Sequence, residues 1–549
     1  MLKKLGWILT ASLLVAFFVL PLLAIAYLSV DADWSNLQHL WQTVLVDYIS
    51  NSTLLVLETV GLSLCFALPS AWIVSNYQFF GHKILQWVLC LPLAIPAYLV
   101  GYLYTDLLDY PGVVQSFLRQ LFGWISAQDY WFPAIRTLGG ASVVLALVLY
   151  PYIFLLARIA LLEQSENLLH SAKTLGASRF YLFRKITFPL IRPAIVVGAA
   201  LVAMETLGDF GTVYYFAVPT LTTAIYDTWL GYGDIGSASQ ISLLMLLMIL
   251  SLLWVEQYSR RKQKIYQRGY EKKPQLKTLH GWKLWLALFY CWGLVSAAFF
   301  IPLGRLIYWS ISYFELAQVD NFLKYAGHSF SSSSLAALTC VLFALFLHFF
   351  KRFYALGYRH SQLGQYSLMI SSLGYAIPGT ILAIGIMIPY ISADHLLNDM
   401  LDYFGISPVG LVFSGSIFAL VSAYTIRFSA MAIGSIETSF QKISPSLDMA
   451  ARTLGQTEWR IIRKVHIPLL SKGILTALML VFIETMKELN ASLLLRPFNF
   501  DTLATHVFNF TSDEQLEQAA LPAIALVLVG LLPVLWLTRS LILNSEKDR

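Results

Sequence analysis

Twelve apolar runs, each about as long as a bilayer is thick, leave this chain very few ways to fold. They fall near 5–28, 52–76, 84–106, 139–162, 194–216 and 239–257, then near 284–308, 331–350, 366–391, 410–435, 473–495 and 518–541. A helix needs roughly 20 apolar residues to cross the hydrocarbon layer. Among the 549 residues 58% are hydrophobic and 12% charged, about half the charge of an ordinary soluble domain. That balance excludes a soluble enzyme, and it excludes disorder, which needs low hydrophobicity and high charge. The chain reads as an all-α polytopic membrane protein with about twelve spans.

Where the charges lie matters more than the net +6. The stretch 29–51 carries Asp31, Asp33 and Asp47 without a Lys or Arg. The stretches 217–238 (Asp227, Asp234) and 392–409 (Asp394, Asp399, Asp402) do the same. The intervening connections are basic, above all 259–283, which runs from Arg260, Arg261 and Lys262 to Lys277 and Lys283. Lys and Arg collect on cytoplasmic loops, so this linker and both termini are expected inside, and the positive charge implies no nucleic-acid partner. Met1-Leu2-Lys3-Lys4 and the run behind it imitate a signal peptide. The run is too long and lacks a small-residue cleavage site before Tyr27, so a retained first span is expected. Cys65, Cys90, Cys291 and Cys340 sit in or beside apolar runs with no close-spaced pair. They read as packing residues.

Two basic connections, 163–192 and 436–472, are long enough to fold, and each closes on a proline (Pro189, Pro468) where the next span is expected to start. They also match each other. His170-Ser171-Ala172-Lys173-Thr174-Leu175-Gly176 is answered by Met449-Ala450-Ala451-Arg452-Thr453-Leu454-Gly455. Arg184-Lys185-Ile186-Thr187-Phe188-Pro189 is answered by Arg463-Lys464-Val465-His466-Ile467-Pro468. At the same offset of 279 residues Glu205-Thr206-Leu207-Gly208-Asp209 faces Glu484-Thr485-Met486-Lys487-Glu488, and Ala94-Ile95-Pro96 meets Ala376-Ile377-Pro378 at 282. Matches in one order at one spacing indicate a duplicated unit. The expected organisation is a first repeat over 1–258, a basic linker over 259–283 and a second repeat over 284–549. Six spans is an even number, so the two repeats run the same way through the membrane, as in transporters built from parallel repeats.

The alanines, the glycine and the hydrophobic–x–hydrophobic–Pro ending resemble the EAA loop of ABC-importer permeases. The second copy fits better; the first has His170 and Ser171 where that family prefers Glu and Ala. The resemblance implies a coupling helix that sits in a cleft of a cytoplasmic ATPase. Its carriers here would be Ala172, Gly176, Arg179, Ile186 and Pro189, then Ala450, Ala451, Gly455, Arg460, Val465 and Pro468. Glu205 through Thr212 with Tyr215 through Thr223, and Glu484 through Leu489 with Leu495 through Ala504, look like the ferric-iron permeases of that group, two halves fused in one chain. The resemblance implies two copies of an ATPase subunit using ATP and Mg, a periplasmic binding protein, and a bacterial inner-membrane location. The chain has no Gly-x-x-x-x-Gly-Lys-Ser/Thr loop, so it is not expected to hydrolyse ATP itself or to hold a cofactor.

Glu205 with Asp209, and Glu484 with Glu488, stand four apart, a spacing that places each pair on one helix face. Acids in a span face a bundle interior or a wet cavity, and oxygen ligands suit hard cations. These four carboxylates are therefore the candidate substrate path and a transient Fe³⁺ site. Against that, Lys487 can neutralise Glu484, and Leu207 through Gly211 is similar to a string in sulfate and molybdate permeases. The alternatives are a fused permease for thiamine, a polyamine or an oxyanion, and an ion-coupled secondary transporter.

Overall fold

Apolar length becomes helix. The computed structural model describes residues 2–162, 164, 171–172, 174–260, 277–316, 319–355 and 362–547. His170, Lys173, part of the first long loop and the linker core 261–276 lie outside the described residues. Among the described residues eleven helices are long and apolar enough to cross a membrane, and one helix pair bent by 90° has the length and composition of a broken span or a re-entrant loop. The principal helices are α1 (Leu2–Asp31), α2 (Leu45–Asn76), α3 (Ala97–Leu108), α4 (Leu138–Leu162), α5 (Phe188–Gly208), α6 (Ile235–Arg260) and α7 (Trp282–Val295). They continue with α8 (Val319–Ala355), α9 (Gly379–Tyr403), α10 (Ile417–Phe440), α11 (Pro445–Thr453), α12 (Ile467–Lys487) and α13 (Leu516–Lys547).

The repeated Ala-Ile-Pro marks a break that periodicity did not reveal. A short 3-10 turn (Leu91–Ala94, Leu373–Ala376) leads into an extended residue, Ile95 at φ −100° ψ 126° and Ile377 at φ −90° ψ 122°. Pro96 and Pro378 then start α3 and α9. A residue before proline is pushed out of the helical region, so the sequence itself writes the break. Irregular backbone at membrane depth has to be buried in protein; Ala94 and Ile95 are buried, and so is Ile377.

The fifth and eleventh spans start earlier than expected. The apolar helices run Phe180–Gly208 and Glu458–Lys487, so Pro189 and Pro468 lie inside them rather than at their first turn. Each is accommodated by a π-turn just upstream, Phe183–Thr187 and Ile462–His466, in which the Phe188 N–H donates to the Phe183 C=O and the Ile467 N–H to the Ile462 C=O. Proline lacks an N–H and crowds the carbonyl four residues back, here Lys185 and Lys464, and a widened turn relieves both.

The chain packs as two units that interleave along the sequence. One unit takes 1–37, 225–243 and 318–507, so the second repeat's core (α8 to α12) is joined by α1. In it the Arg352 and Arg427 side chains are largely buried against acids, and Tyr424 is enclosed. The other takes 38–224, 244–317 and 508–549, so the first repeat's core (α2 to α5) is joined by α7 and α13. There Arg305, on the helix Ile301–Ser312 that continues α7, holds Asp106 of α3 at 2.9 Å. Both side chains are half-buried, and the guanidinium also lies over the Tyr308 and Trp309 rings. Cys90, Cys291 and Cys340 are buried free thiols and Cys65 is an exposed one.

Candidate functional site

The strings that follow each acidic segment fold back as pins. Thr220 N–H bonds to the Thr223 hydroxyl at 2.9 Å, and Thr502 N–H to the Thr505 hydroxyl at 2.9 Å. The next amide reaches across to a serine: Leu221 N–H to Ser52 Oγ at 2.9 Å, and Leu503 N–H to Ser329 Oγ at 2.7 Å. Asn51 donates to the Pro219 C=O at 3.1 Å, and His328 to the Asp501 C=O at 3.0 Å. The duplication seen in sequence thus recurs in the hydrogen bonds, with Asn51 and His328 as different donors at matching places. Each pin fixes the short segment after the acids to α2 or α8. Buried amides must find a partner, which is why small hydroxyl residues recur here.

The acids themselves divide into two kinds. α5 stops at Gly208 and α12 at Lys487; Asp209 and Glu488 follow in extended conformation. The spacing of four therefore does not place each pair on one helix face. Instead the second acid of each pair caps a short helix. Asp209 Oδ1 accepts from Thr212 N (3.0 Å) and Val213 N (3.2 Å), at the head of Gly211–Tyr215. Glu488 accepts from Ala491 N (3.0 Å) and Ser492 N (3.2 Å), at the head of Asn490–Leu495. An acid here satisfies orphan N–H groups and complements the helix dipole. Glu484 pairs with Lys487 at 3.1 Å, the neutralisation its spacing suggested. Glu488 has a further partner, Arg427 on α10 at 3.5 Å.

Arg427 was not singled out from the sequence, although a lone Arg in the run 410–435 is itself a signal, since an intramembrane cation demands a partner. Glu205 and Asp209 belong to one packing unit, Glu484 and Glu488 to the other. Among the described residues no group of three or more His, Cys, Asp or Glu side chains is arranged to hold a metal ion.

The long loops build exposed knuckles. α11 begins after Ser444, whose side chain accepts from Ser446 N. It ends where Gly455 takes φ +73°, and Gly176 takes φ +84° at the matching place. The residue after each glycine bonds back to the motif alanine: Ala177 N–H to the Ala172 C=O, and Gln456 N–H to the Ala451 C=O, both at 3.1 Å. This is the helix-ending turn that glycine's left-handed freedom permits. Nothing lies within 4 Å of a Cβ placed at either glycine, so the turn rather than crowding within this chain selects the residue. Leu175 (87%) and Leu454 (78%) stand exposed at the tips. Ala450 and Arg460 are exposed and Ala451 half-buried, while Ile186, Pro189, Val465 and Pro468 lie on the π-turns and the helix starts behind them. Arg179 opens the four-residue helix Arg179–Leu182.

A duplicated core of long apolar helices, with capped acidic breaks and two exposed knuckles, defines a multi-pass transport permease. The chain belongs to the family described as the binding-protein-dependent transport system inner membrane component, which matches it twice, over residues 63–265 and 354–544. It is 27% identical to the Fe(3+)-transport system permease protein FbpB 2 of Haemophilus influenzae, over 92% of both chains. The ferric transport system permease protein FbpB of Actinobacillus pleuropneumoniae is 24% identical, over 92% of this chain and 74% of that one. The molybdenum transport system permease protein ModB of Escherichia coli is 31% identical over 40% of this chain and 98% of its own length. Members of this family are inner-membrane transport components rather than enzymes.

Proposed function

We propose that this chain is the membrane-spanning permease of a ferric-iron ABC importer. Two copies of a cytoplasmic ATPase subunit drive it with ATP and Mg, a periplasmic binding protein feeds it, and both termini lie in the cytoplasm. The observation that carries the substrate is the likeness to iron permeases along nearly the whole chain, two fused halves included. The observation that carries the motor is the pair of exposed turns at Gly176 and Gly455 with the same hydrogen bonds. They offer apolar tips and flanking cations to a soluble partner. Alternating access then follows from differential contacts of the ATPase with two states of the permease.

In this reading Glu205 and Glu484 are, each within its own unit, the acids that meet the cation. Asp209 and Glu488 brace the breaks that follow those acids, each capping the next short helix. A second reading, an oxyanion importer, draws on Arg427 beside Glu488 and on the half-chain likeness to the molybdenum permease. Uptake by the reconstituted complex separates them. Radiolabelled ferric iron should accumulate with ATP and binding protein present, and molybdate should not. Replacing Gly176 and Gly455 with Val should abolish co-elution of the ATPase. Full-speed uptake without any ATPase attached would overturn the importer reading.

A further inference from the structure

We propose that Asp448 is the clamp through which the second knuckle moves the membrane helices, a positioning role that rests on the importer reading above. Asp448 is the buried residue of α11, fully enclosed while its neighbours Leu447 and Met449 stand exposed. Both carboxylate oxygens are engaged. Arg352 Nε donates to Oδ2 at 2.6 Å, and His466 Nε2 donates to Oδ1 at 2.7 Å. The same guanidinium reaches the Ile443 C=O at 3.1 Å, just before the capping Ser444. Arg352 therefore holds both α11 and the chain entering it. Phe349, Phe353 and Phe440 pack their rings around His466 at 5.6, 6.0 and 5.7 Å. Charge-assisted bonds inside apolar walls are strong and directional.

One of the two helices gripped by this carboxylate leads to the acidic break, and the other holds the segment that follows it. α8 has 37 residues, about 55 Å of helix, and carries Arg352 near one end and the pinning His328 and Ser329 near the other. α12 leaves the π-turn at His466, carries Glu484 and Lys487 in its last turn, and hands on to the extended Glu488. Packed helices move as bodies rather than deform, so a push on α11 arrives at the segment 488–503 through both. The first repeat has Ser75, Leu169 and Thr187 at the matching offsets; none is charged, and Leu169 lies outside the described residues. Among the described residues this clamp is found at the second knuckle.

The test uses the full complex with ATPase and binding protein in proteoliposomes, with ferric-iron uptake and ATP hydrolysis measured together. Asp448→Ala should lower iron moved per ATP about tenfold, the size of a typical coupling between sites, while the ATPase still co-purifies. Asp448→Asn keeps the shape and should shift the ratio the same way; it decides the matter where the alanine variant does not assemble. Thr187→Ala should leave the ratio at the parent value. A parent complex without ATP-dependent uptake overturns the importer reading. A parent that couples, with Asp448→Asn coupling equally well or losing uptake and hydrolysis in proportion, overturns the clamp alone.

Discussion

Glu484 and Glu488 look interchangeable in sequence, yet their surroundings assign them different weights. Glu488 is 3% exposed and Arg427 12%, so removing its charge strands a buried guanidinium. Glu488→Gln should cost about 3 kcal/mol or more. Glu484 is 29% exposed beside Lys487, and Glu484→Gln should cost about 1 kcal/mol or less. Thermal unfolding in detergent reads the order; equal shifts in Tm would refute the assignment. Gly379 closes the same corner. A Cβ there would lie 2.6 Å from Glu488 Oε1, 2.8 Å from Ala491 N and 2.9 Å from Arg427 Nη1. Gly379→Ala should therefore destabilise by about 1–3 kcal/mol, seen as a lower Tm, although the first repeat tolerates Ala97 at the matching offset. The candidate acids were legible as residue types because intramembrane carboxylates are rare. Their roles were not, because capping depends on where a helix stops and Arg427 lies 61 residues away in sequence.

Helices were legible as elements far better than their breaks were. Eleven of the twelve runs became helices long and apolar enough to span, in the expected order, and the third became a pair bent by 90°, since apolar length is a physical requirement of the bilayer. Boundaries moved where proline was read as a start signal. Pro189 and Pro468 follow a run of cations, a pattern that usually ends one element and begins another. The chain instead continues through a π-turn and keeps a single helix. That device holds α12 in a rotated register relative to α11. Pro468→Ala restores an N–H for the Lys464 carbonyl and lets the π-turn relax to α. The knuckle should then turn by about 100° about the axis of α12, one residue's worth of helical rotation. The expected result is uptake reduced at least fivefold with an unchanged or higher Tm; uptake at the parent rate would show that the π-turn only accommodates the proline.

At the scale of the whole molecule, the repeat and the packing unit are different objects. The repeats come from duplicated sequence, while the units come from which helices bury one another. α1 packs with the second repeat's core, and α7 and α13 pack with the first's. Alternation of spans along the chain cannot disclose this, because every span is apolar enough to serve any neighbour; packing within lipid is decided by side-chain fit. Neither half of the chain therefore contains a full unit. A fragment 1–260 lacks the α7 and α13 surfaces that α2 to α5 are buried against, and a fragment 277–549 lacks α1. Each expressed alone should fail to accumulate as a monodisperse species. Expressed together as separate chains they should co-purify and restore ATP-dependent uptake, since the cut falls in the basic linker. Size-exclusion profiles of the single and paired fragments check this. A stable, monodisperse 1–260 fragment would mean that the first repeat folds alone, and that α7 and α13 add to a finished core rather than complete it.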